Sequence, residues 1–371
     1  MVIPARVIRT YRFRIYPTRG QRTASDAQLA FACDLYNAAL EQRRDYRRTA
    51  VATTFVSQCR ELTDIRAAGD GPYKMSCSAM RDPLRRVERA FQGFFRRVKS
   101  GEKAGYPRFR SRRRYDSLTW DYGWSIQEQR LVPQGIGHVK VKWHRTLPAL
   151  SSVRTVTVRR VLKHWYASFT VAVPPRASLT TRHMPAVGLD LGIRHFAALS
   201  TGELIPGPRA SRGTSRKCRI AQRRVSRRHK GSRRRGKAAF LLARLHLHAR
   251  NIRRDHAHRL SRRLVSNFSL IAVEDLQVSG LARGSLSKDV NDQGWAGFLR
   301  MIGYKAEDAG IQVVRVPPWG TSQVCSNCRT TVPKQLSERT HDCQVCGLHL
   351  DRDVNAARNI LRLGLSRQAL T

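Results

Sequence analysis

The sequence predicts a multidomain α+β protein: an N-terminal β-barrel interrupted by a helical insert, then an α/β domain with a small cysteine-clipped hairpin set into it. Three observations lead there. Strand-like alternation at the N-terminus returns only after a long helical stretch, so the two strand regions are read as one barrel. From residue 186 the rhythm changes to short apolar strands separated by helices. Near the end of that second rhythm stand two CxxC pairs, Cys325/Cys328 and Cys343/Cys346.

In chain order, "VIRTYRFRIYP" (7–17) is alternating, β-branched and aromatic, a strand closed by Pro17. From about Gly20 to Lys99 the pattern turns helical. Leu29, Cys33, Tyr36 and Leu40 fall at helical spacing, as do Val87, Phe91, Phe94 and Phe95, and both stripes read as ordinary core. "KSGEKAGYPRFRSRRR" (99–114) then breaks the helix with Gly and Pro. In it Lys103, Tyr106, Arg108 and Arg110 are candidate nucleic-acid contacts: Tyr106 and Phe109 as stacking rings, the arginines, Arg112 included, as phosphate holders. A solvated basic loop is the competing reading. "HVKVKW", "VRTVTVRRV" and "WYASFTVAV" return to strands and stop at Pro174-Pro175.

In the second half "AVGLDLGI" (186–193) reads as a buried strand with Asp190 in its middle, followed by the strands "HFAALS" and "ELI". Residues 212–263 are dense in arginine and lysine and hold a single acid, Asp255. Leu245, Ala249, Ile252, His256 and Leu260 mark one face of a long helix there. Such charge opposes helix formation by self-repulsion, so Arg223, Arg224, Arg227 and Arg228 are read as contacts to a bound polyanion. "LIAVEDL" (270–276) is a further buried strand; a helix with Trp295, Phe298, Leu299 and Ile302, the strand "IQVVRV" and a last helix opening near Asp353 complete the chain.

Composition narrows the partners. The 371 residues carry 70 Lys+Arg against 26 Asp+Glu, a formal net charge of +44, with 41% hydrophobic residues. The apolar share supports a folded chain, and the charge calls for a polyanion, nucleic acid above all. Arginine outnumbers lysine, which suits bidentate contacts to phosphates and base edges. No apolar run reaches the roughly 18 residues of a membrane span, and the N-terminus lacks the pattern of a signal peptide. Cys33, Cys59, Cys77 and Cys218 are scattered without pairing logic, as in a reducing compartment. The expectation is a cytoplasmic, nucleoid-associated protein with neither a membrane partner nor a small-molecule substrate.

The spacing C-x2-C, fourteen residues, C-x2-C matches a four-thiolate zinc ribbon at its short edge. Four thiolates complete a tetrahedral shell and leave no open position, so the expected Zn²⁺ is structural, one per chain; two disulfides are the weaker alternative. Gly347 suits the turn after the second pair, whereas Arg329 stands at the same place in the first and predicts a less regular knuckle. The acids are few and therefore informative. Asp190 lies on an apolar strand, Glu274 ends another, and Asp353 opens the last helix, where Asp351 is also a plausible cap. Singly they read as strand-end or capping acids. Jointly they suit a divalent-metal site, since two Mg²⁺ or Mn²⁺ ions held by such carboxylates serve phosphodiester hydrolysis.

"YRFRIYPT", "AFQGFFRRVKSGEKAGYPRFRSRRR", "GLDLGIRHFAALSTGE", "IAVEDLQVSGL", "TSQVCSNC" and "DRDVNAARNI", in that order, resemble the OrfB/TnpB family of transposon-encoded proteins, similar to compact type V CRISPR effectors. The resemblance covers nearly the whole chain. It implies an RNA-guided DNA endonuclease linked to transposition and DNA recombination, with a RuvC, RNase H-like domain at 186–371, Asp190, Glu274 and Asp353 as its metal-binding catalytic acids, and a zinc ribbon at 320–350. It further implies a wedge-like barrel at 1–16 and 115–178 and a helical recognition insert at 17–114. The implied partners are a guide RNA from the transposon end and double-stranded target DNA bearing a short adjacent motif, the basic stretch 212–263 lining the heteroduplex channel. A nuclease-inactive RNA-guided regulator and a true transposase are the alternatives. Trp319-Gly320 and Arg329 depart from the family's usual residues and put the fine geometry of the zinc site in doubt.

Overall fold

The computed structural model describes residues 7–45, 53–69, 75–174, 184–208, 212–277, 290, 293–335 and 338–368. The chain ends, the expected barrel boundary at 178 and the last residues of the IAVEDLQVSGL stretch lie outside them. The chain divides into two compact units, Met1–Pro175 and Arg176–Thr371.

In the first unit β1 (Val7–Tyr16) turns its alternate residues Phe13 and Ile15 into the core. Helix α1 (Arg19–Arg44) opens on a reciprocal cap: the Thr18 hydroxyl accepts from the Gln21 N–H, and the Gln21 side chain accepts from the Thr18 N–H. Helices α2 (Phe55–Ala67) and α3 (Cys77–Lys99) follow. Next come β2 (Ser117–Trp120), β3 (Trp124–Gln127), β4 (Arg130–Pro133), β5 (Val139–Lys142), β6 (Val153–Val161) and β7 (His164–Val173). They form one antiparallel sheet in the order β2-β6-β7-β1-β5-β4-β3. The N-terminal strand does pair with the later ones: β1 lies between β7, from Val7 opposite Val173 to Ile15 opposite Trp165, and β5. The strands at the two ends of this order, β2 and β3, are joined by residues 121–123 alone. A link that short spans at most about 14 Å, so the sheet curls almost closed around Phe13, Trp120 and Phe169. Val87 and Phe91 join this core as expected; Phe95 does not, keeping 60% of its surface exposed.

The second unit holds β8 (Ala186–Asp190), β9 (Ala197–Leu199), β10 (Leu204–Ile205), α4 (Arg212–Ser226), α5 (Arg233–Asn267), β11 (Leu270–Glu274), α6 (Trp295–Ala309), β12 (Gln312–Val316), β13 (Thr340–Asp342), β14 (His349–Asp351) and α7 (Arg352–Gln368). Its sheet runs β10-β9-β8-β11-β12, with β8, β11 and β12 parallel and β9 antiparallel to both its neighbours, β8 and β10. Asp190 therefore ends its strand rather than sitting mid-strand. The basic stretch is two helices, not one. Gly231 at φ 91° and the N-cap Ser232 break it, which leaves Arg227 and Arg228 in the turn between them. Among the described residues no helix is long and apolar enough to cross a membrane.

The period-2 alternation sorts the strands' side chains between two helical layers. Val187, Leu189, Ile271 and Val273 pack against Leu260 and Leu264 of α5 and Phe298 and Ile302 of α6. On the other face Leu270, Ala272 and Val316 meet Ile360 of α7. That helix lies very close to the sheet. A Cβ added at Gly188 would sit 2.0 Å from the Ala357 carbonyl oxygen, and one at Gly364 would sit 2.5 Å from the Ala272 Cβ. Glycine at both points is what lets α7 lie directly on β8 and β11.

Candidate active site

The register between β8 and β11 pairs Gly188 with Ala272 and Leu189 with Val273, so Asp190 and Glu274 follow side by side at the C-terminal ends of two adjacent parallel strands. Each lies two residues beyond a residue that faces α7, Gly188 or Ala272, and so points to the same side. Asp353 comes from the first turn of α7 on that side, and a Cβ built at Gly192, just past β8, would lie 3.5 Å from its Oδ2. The fold thus brings together three acids that are far apart in sequence.

Their electrostatics are those of crowded anions. Burial, then the charges of Glu274 and Asp353, hold the Asp190 carboxyl well above the usual carboxylate range. Burial also raises Glu274, against the lowering effect of a hydrogen bond from Thr321. Asp353 is raised by burial and by Asp351, and lowered by Arg339, His195 and Arg352. Such a set of oxygen donors fits a hard divalent cation, whose charge would offset the burial that raises all three and the repulsion from Glu274 and Asp353 felt by Asp190.

Asp351 is a cap: its Oδ1 accepts from the Asp353 N–H at 2.8 Å. The contact that sequence reasoning missed is Thr321, a buried residue whose hydroxyl donates to Glu274 Oε1 at 2.6 Å. The TSQVCSNC stretch contained it, but nothing in one sequence says that Thr321 reaches a residue 47 positions away.

The thiols of Cys325, Cys328, Cys343 and Cys346 cluster as expected from their spacing. Cys325 and Cys346 sulfurs are 3.6 Å apart and those of Cys328 and Cys343 3.5 Å. That is far beyond a disulfide bond of ~2.05 Å and close to the ~3.8 Å edge of a tetrahedron with ~2.3 Å Zn–S bonds. Hydrogen bonding with Thr330 holds the Cys328 thiol down to about 6, toward the thiolate a metal needs. The two knuckles match more closely than the sequence suggests. Arg329 takes φ 70° where Gly347 takes 71°, and its N–H donates to the Cys325 carbonyl at 3.0 Å as that of Gly347 does to Cys343 at 2.8 Å. The expected irregularity is absent; a non-glycine residue simply bears the left-handed conformation, at a cost of roughly 1 kcal/mol. Arg329→Gly is expected to raise stability by up to about 1 kcal/mol, less the entropy of the unfolded glycine. A chemical-denaturation midpoint that falls instead would refute this.

Two buried asparagines tie this ribbon to α7. Asn355 Nδ2 donates to the Val324 carbonyl at 2.8 Å, and its Oδ1 accepts from the Ser326 N–H at 2.9 Å. Asn359 Nδ2 donates to the carbonyls of Thr321 (2.9 Å) and Val324 (2.7 Å).

The candidate nucleic-acid contacts divide. Arg223, Arg224 and Arg227 are exposed, whereas Arg228 is half-buried and donates to the Arg234 carbonyl at 2.5 Å, a partly structural role. In the first unit Lys103 and Arg108 are exposed. Tyr106 sets its ring edge-on to Phe91 and Phe94, at 5.5 and 5.2 Å between centroids, so part of its surface is used internally. Arg110 lays its guanidinium 4.8 Å from the Tyr36 ring centroid.

Comparison with known proteins gives a consistent result. The family profile described as "Probable transposase" (OrfB_IS605) matches residues 168–284, "Cas12f1-like, TNB domain" matches 295–360, and the OrfB_IS605 "Helix-turn-helix domain" matches 1–50. In the structure the described part of that last stretch is a strand and one 26-residue helix. A Streptomyces pristinaespiralis protein named "Putative RNA-guided DNA endonuclease" is 33% identical over 98% of this chain and 91% of its own length. The similarly named InsQ of Escherichia coli (strain K12) is 29% identical over 96% of this chain and 92% of its own. The cryo-EM structure of a Cas12f1-sgRNA-target DNA complex aligns with a TM-score of 0.59 at 13% identity, covering 96% of this chain and 99% of that one, a likeness of fold alone.

Proposed function

We propose a mechanism for a chain that belongs to the TnpB (OrfB) family of transposon-encoded proteins. It is a transposon-encoded RNA-guided nuclease, and its cutting centre is the group Asp190, Glu274 and Asp353. The observation that carries this reading is the convergence of three half-buried carboxyls at the ends of β8 and β11 and the start of α7, with the charges of Glu274 and Asp353 acting on Asp190. The three carboxylates would hold Mg²⁺ or Mn²⁺, two ions in our reading. When bound, such ions stabilise charge on the attacking and leaving oxygens of a phosphodiester. The chain's own residues supply the frame. Thr321 fixes the rotamer of Glu274, and Asp351 caps the helix that presents Asp353. Arg339 and Arg352 keep positive charge beside the acids, where a phosphate backbone must lie.

A five-stranded sheet in which β9 alone runs against the other four fits a RuvC, RNase H-like domain, and the nearly closed sheet of the first unit fits a wedge. The cysteine cluster would hold one structural Zn²⁺. Guide RNA from the transposon end and double-stranded DNA with a short adjacent motif are the proposed partners, with sequence read by guide pairing and the protein reading duplex shape. The protein is purified with its RNA, the RNA is sequenced, and a plasmid matching it is offered with and without Mg²⁺. Cutting only of the matched plasmid, and only with the ion, is expected. Cutting that ignores the RNA would point to a true transposase instead.

The arginines of α4 and the following turn support the same reading. Arg223, Arg224 and Arg227 changed together to Glu should weaken RNA or heteroduplex binding and flatten the slope of log affinity against log salt, because fewer counterions are released. Arg228→Glu should instead lower stability through its lost carbonyl contact. An unchanged salt slope in the triple variant would place these arginines outside the interface.

A further inference from the structure

In the first unit the loop between α3 and β2 is pinned to α1 and forms a cleft with it. The Asn37 amide pairs with the Arg110 backbone in both directions: Oδ1 accepts from the N–H and Nδ2 donates to the carbonyl, each at 2.9 Å. The Cys33 thiol donates to the same carbonyl at 3.2 Å, and Arg112 makes a two-pronged contact with Asp34 at 3.1 and 2.6 Å. The cleft so formed measures about 370 Å³. Its floor is apolar: the buried Tyr36 and Pro107, with Ala90 from α3. Its rim is Phe109, 49% exposed, between Arg108 and Arg110. The Arg44 guanidinium braces the Phe109 ring, 5.0 Å from its centroid.

We propose that this cleft takes one unpaired nucleotide of a bound strand, its base against Phe109 and the apolar floor and its phosphates on Arg108 and Arg110. The volume suits a small ligand and excludes a duplex, whose major groove alone is ~12 Å wide. An apolar floor under a cationic rim matches a flat base joined to phosphate, and stacking of this kind tolerates any base. The structure also divides the loop's aromatics: Tyr106 is braced against Phe91 and Phe94, and Phe109 is the ring left at the cleft. This inference rests on the nuclease reading only for the source of the strand.

Two variants probe it without touching charge. Phe109→Ala removes the rim ring, and Ala90→Leu fills the cleft from α3. The probes are labelled single-stranded RNA and DNA decamers of one sequence and the corresponding DNA duplex. Each variant should bind one of the single strands about tenfold more weakly, with an unchanged salt slope and unchanged duplex affinity; the strand affected identifies the source. Phe109→Trp should restore binding. Unchanged affinity for both single strands in Phe109→Ala, or an equal loss for the duplex, would overturn the proposal, and so would failure of Phe109→Trp to rescue. Phe109 lies on the surface, so its variants decide the matter even where Ala90→Leu disturbs packing. Binding is measured without divalent ions and needs no cutting, so failure of this proposal and failure of the nuclease reading are told apart.

Discussion

Asp190→Ala, Glu274→Ala and Asp353→Ala should each lower guided DNA cutting at least about a thousandfold, while RNA and target binding persist. Each change removes one oxygen donor from the group at the ends of β8 and β11 and leaves the arginine surface as it was. Asp351→Ala should do far less, costing about 1 kcal/mol as a lost helix cap. A second readout needs no cutting at all. The raised carboxyl of Asp190 binds its proton more tightly folded than unfolded, so it lowers stability as pH rises above the ordinary carboxylate value near ~3.9. At neutral pH without divalent ions, Asp190→Asn should therefore melt above the wild type. Adding Mg²⁺ should stabilise the wild type and leave the variant nearly unmoved. Cutting that survives in Asp190→Ala would end this account of the site, and equal Mg²⁺ stabilisation of wild type and Asp190→Asn would remove the carboxylates as its ligands.

How much of this could be read beforehand depended on the range of the interaction involved. Strands with clear alternation, such as β1, β6 and β7, follow from local pattern because one face of each is buried. The four-residue strands β2, β3 and β4 carry too few positions for any period, and only their partners define them. The break between α4 and α5 did have local signals, Gly231 and Ser232, but the surrounding charge drew attention to a single polyanion-binding helix. Asp190, Glu274 and Asp353 stood out because acids are scarce in this chain, and apolar strands or a helix start set each of them apart. Their second-row contacts could not stand out. Thr321, Asn355 and Asn359 are ordinary polar residues until the ribbon and α7 are seen together. Arg329 misled for a different reason: glycine is the usual left-handed residue, yet the knuckle's hydrogen bond outweighs the strain of an arginine there.

Those second-row contacts set the other large effect, loss of the four-cysteine site. Cys343→Ser should release the zinc, measured as about one ion per chain in the wild type by elemental analysis, because three thiolates no longer close the tetrahedral shell. Besides the metal, the ribbon is held by polar contacts, among them Arg352 of α7 donating to the Gln335 carbonyl and to Ser322 Oγ. Its β13–β14 pair spans three residues on each strand, and its first knuckle is anchored by Asn355 and Asn359 to one side of α7. Freed of metal, the segment from Thr321 to His349 should open, and limited proteolysis should cut there first. The consequence reaches the acids through two named links. Thr321 would stop holding Glu274, and Asn355, two residues from Asp353, would lose its partners at Val324 and Ser326. Cutting should therefore fall steeply in Cys343→Ser although no carboxylate has changed. Thr321→Val, which keeps the ribbon and its zinc, should reproduce part of that fall, and Thr321→Ser should restore it. Full zinc content in Cys343→Ser would remove these cysteines as the metal site; wild-type cutting by a zinc-free ribbon would break the proposed link between ribbon and acids.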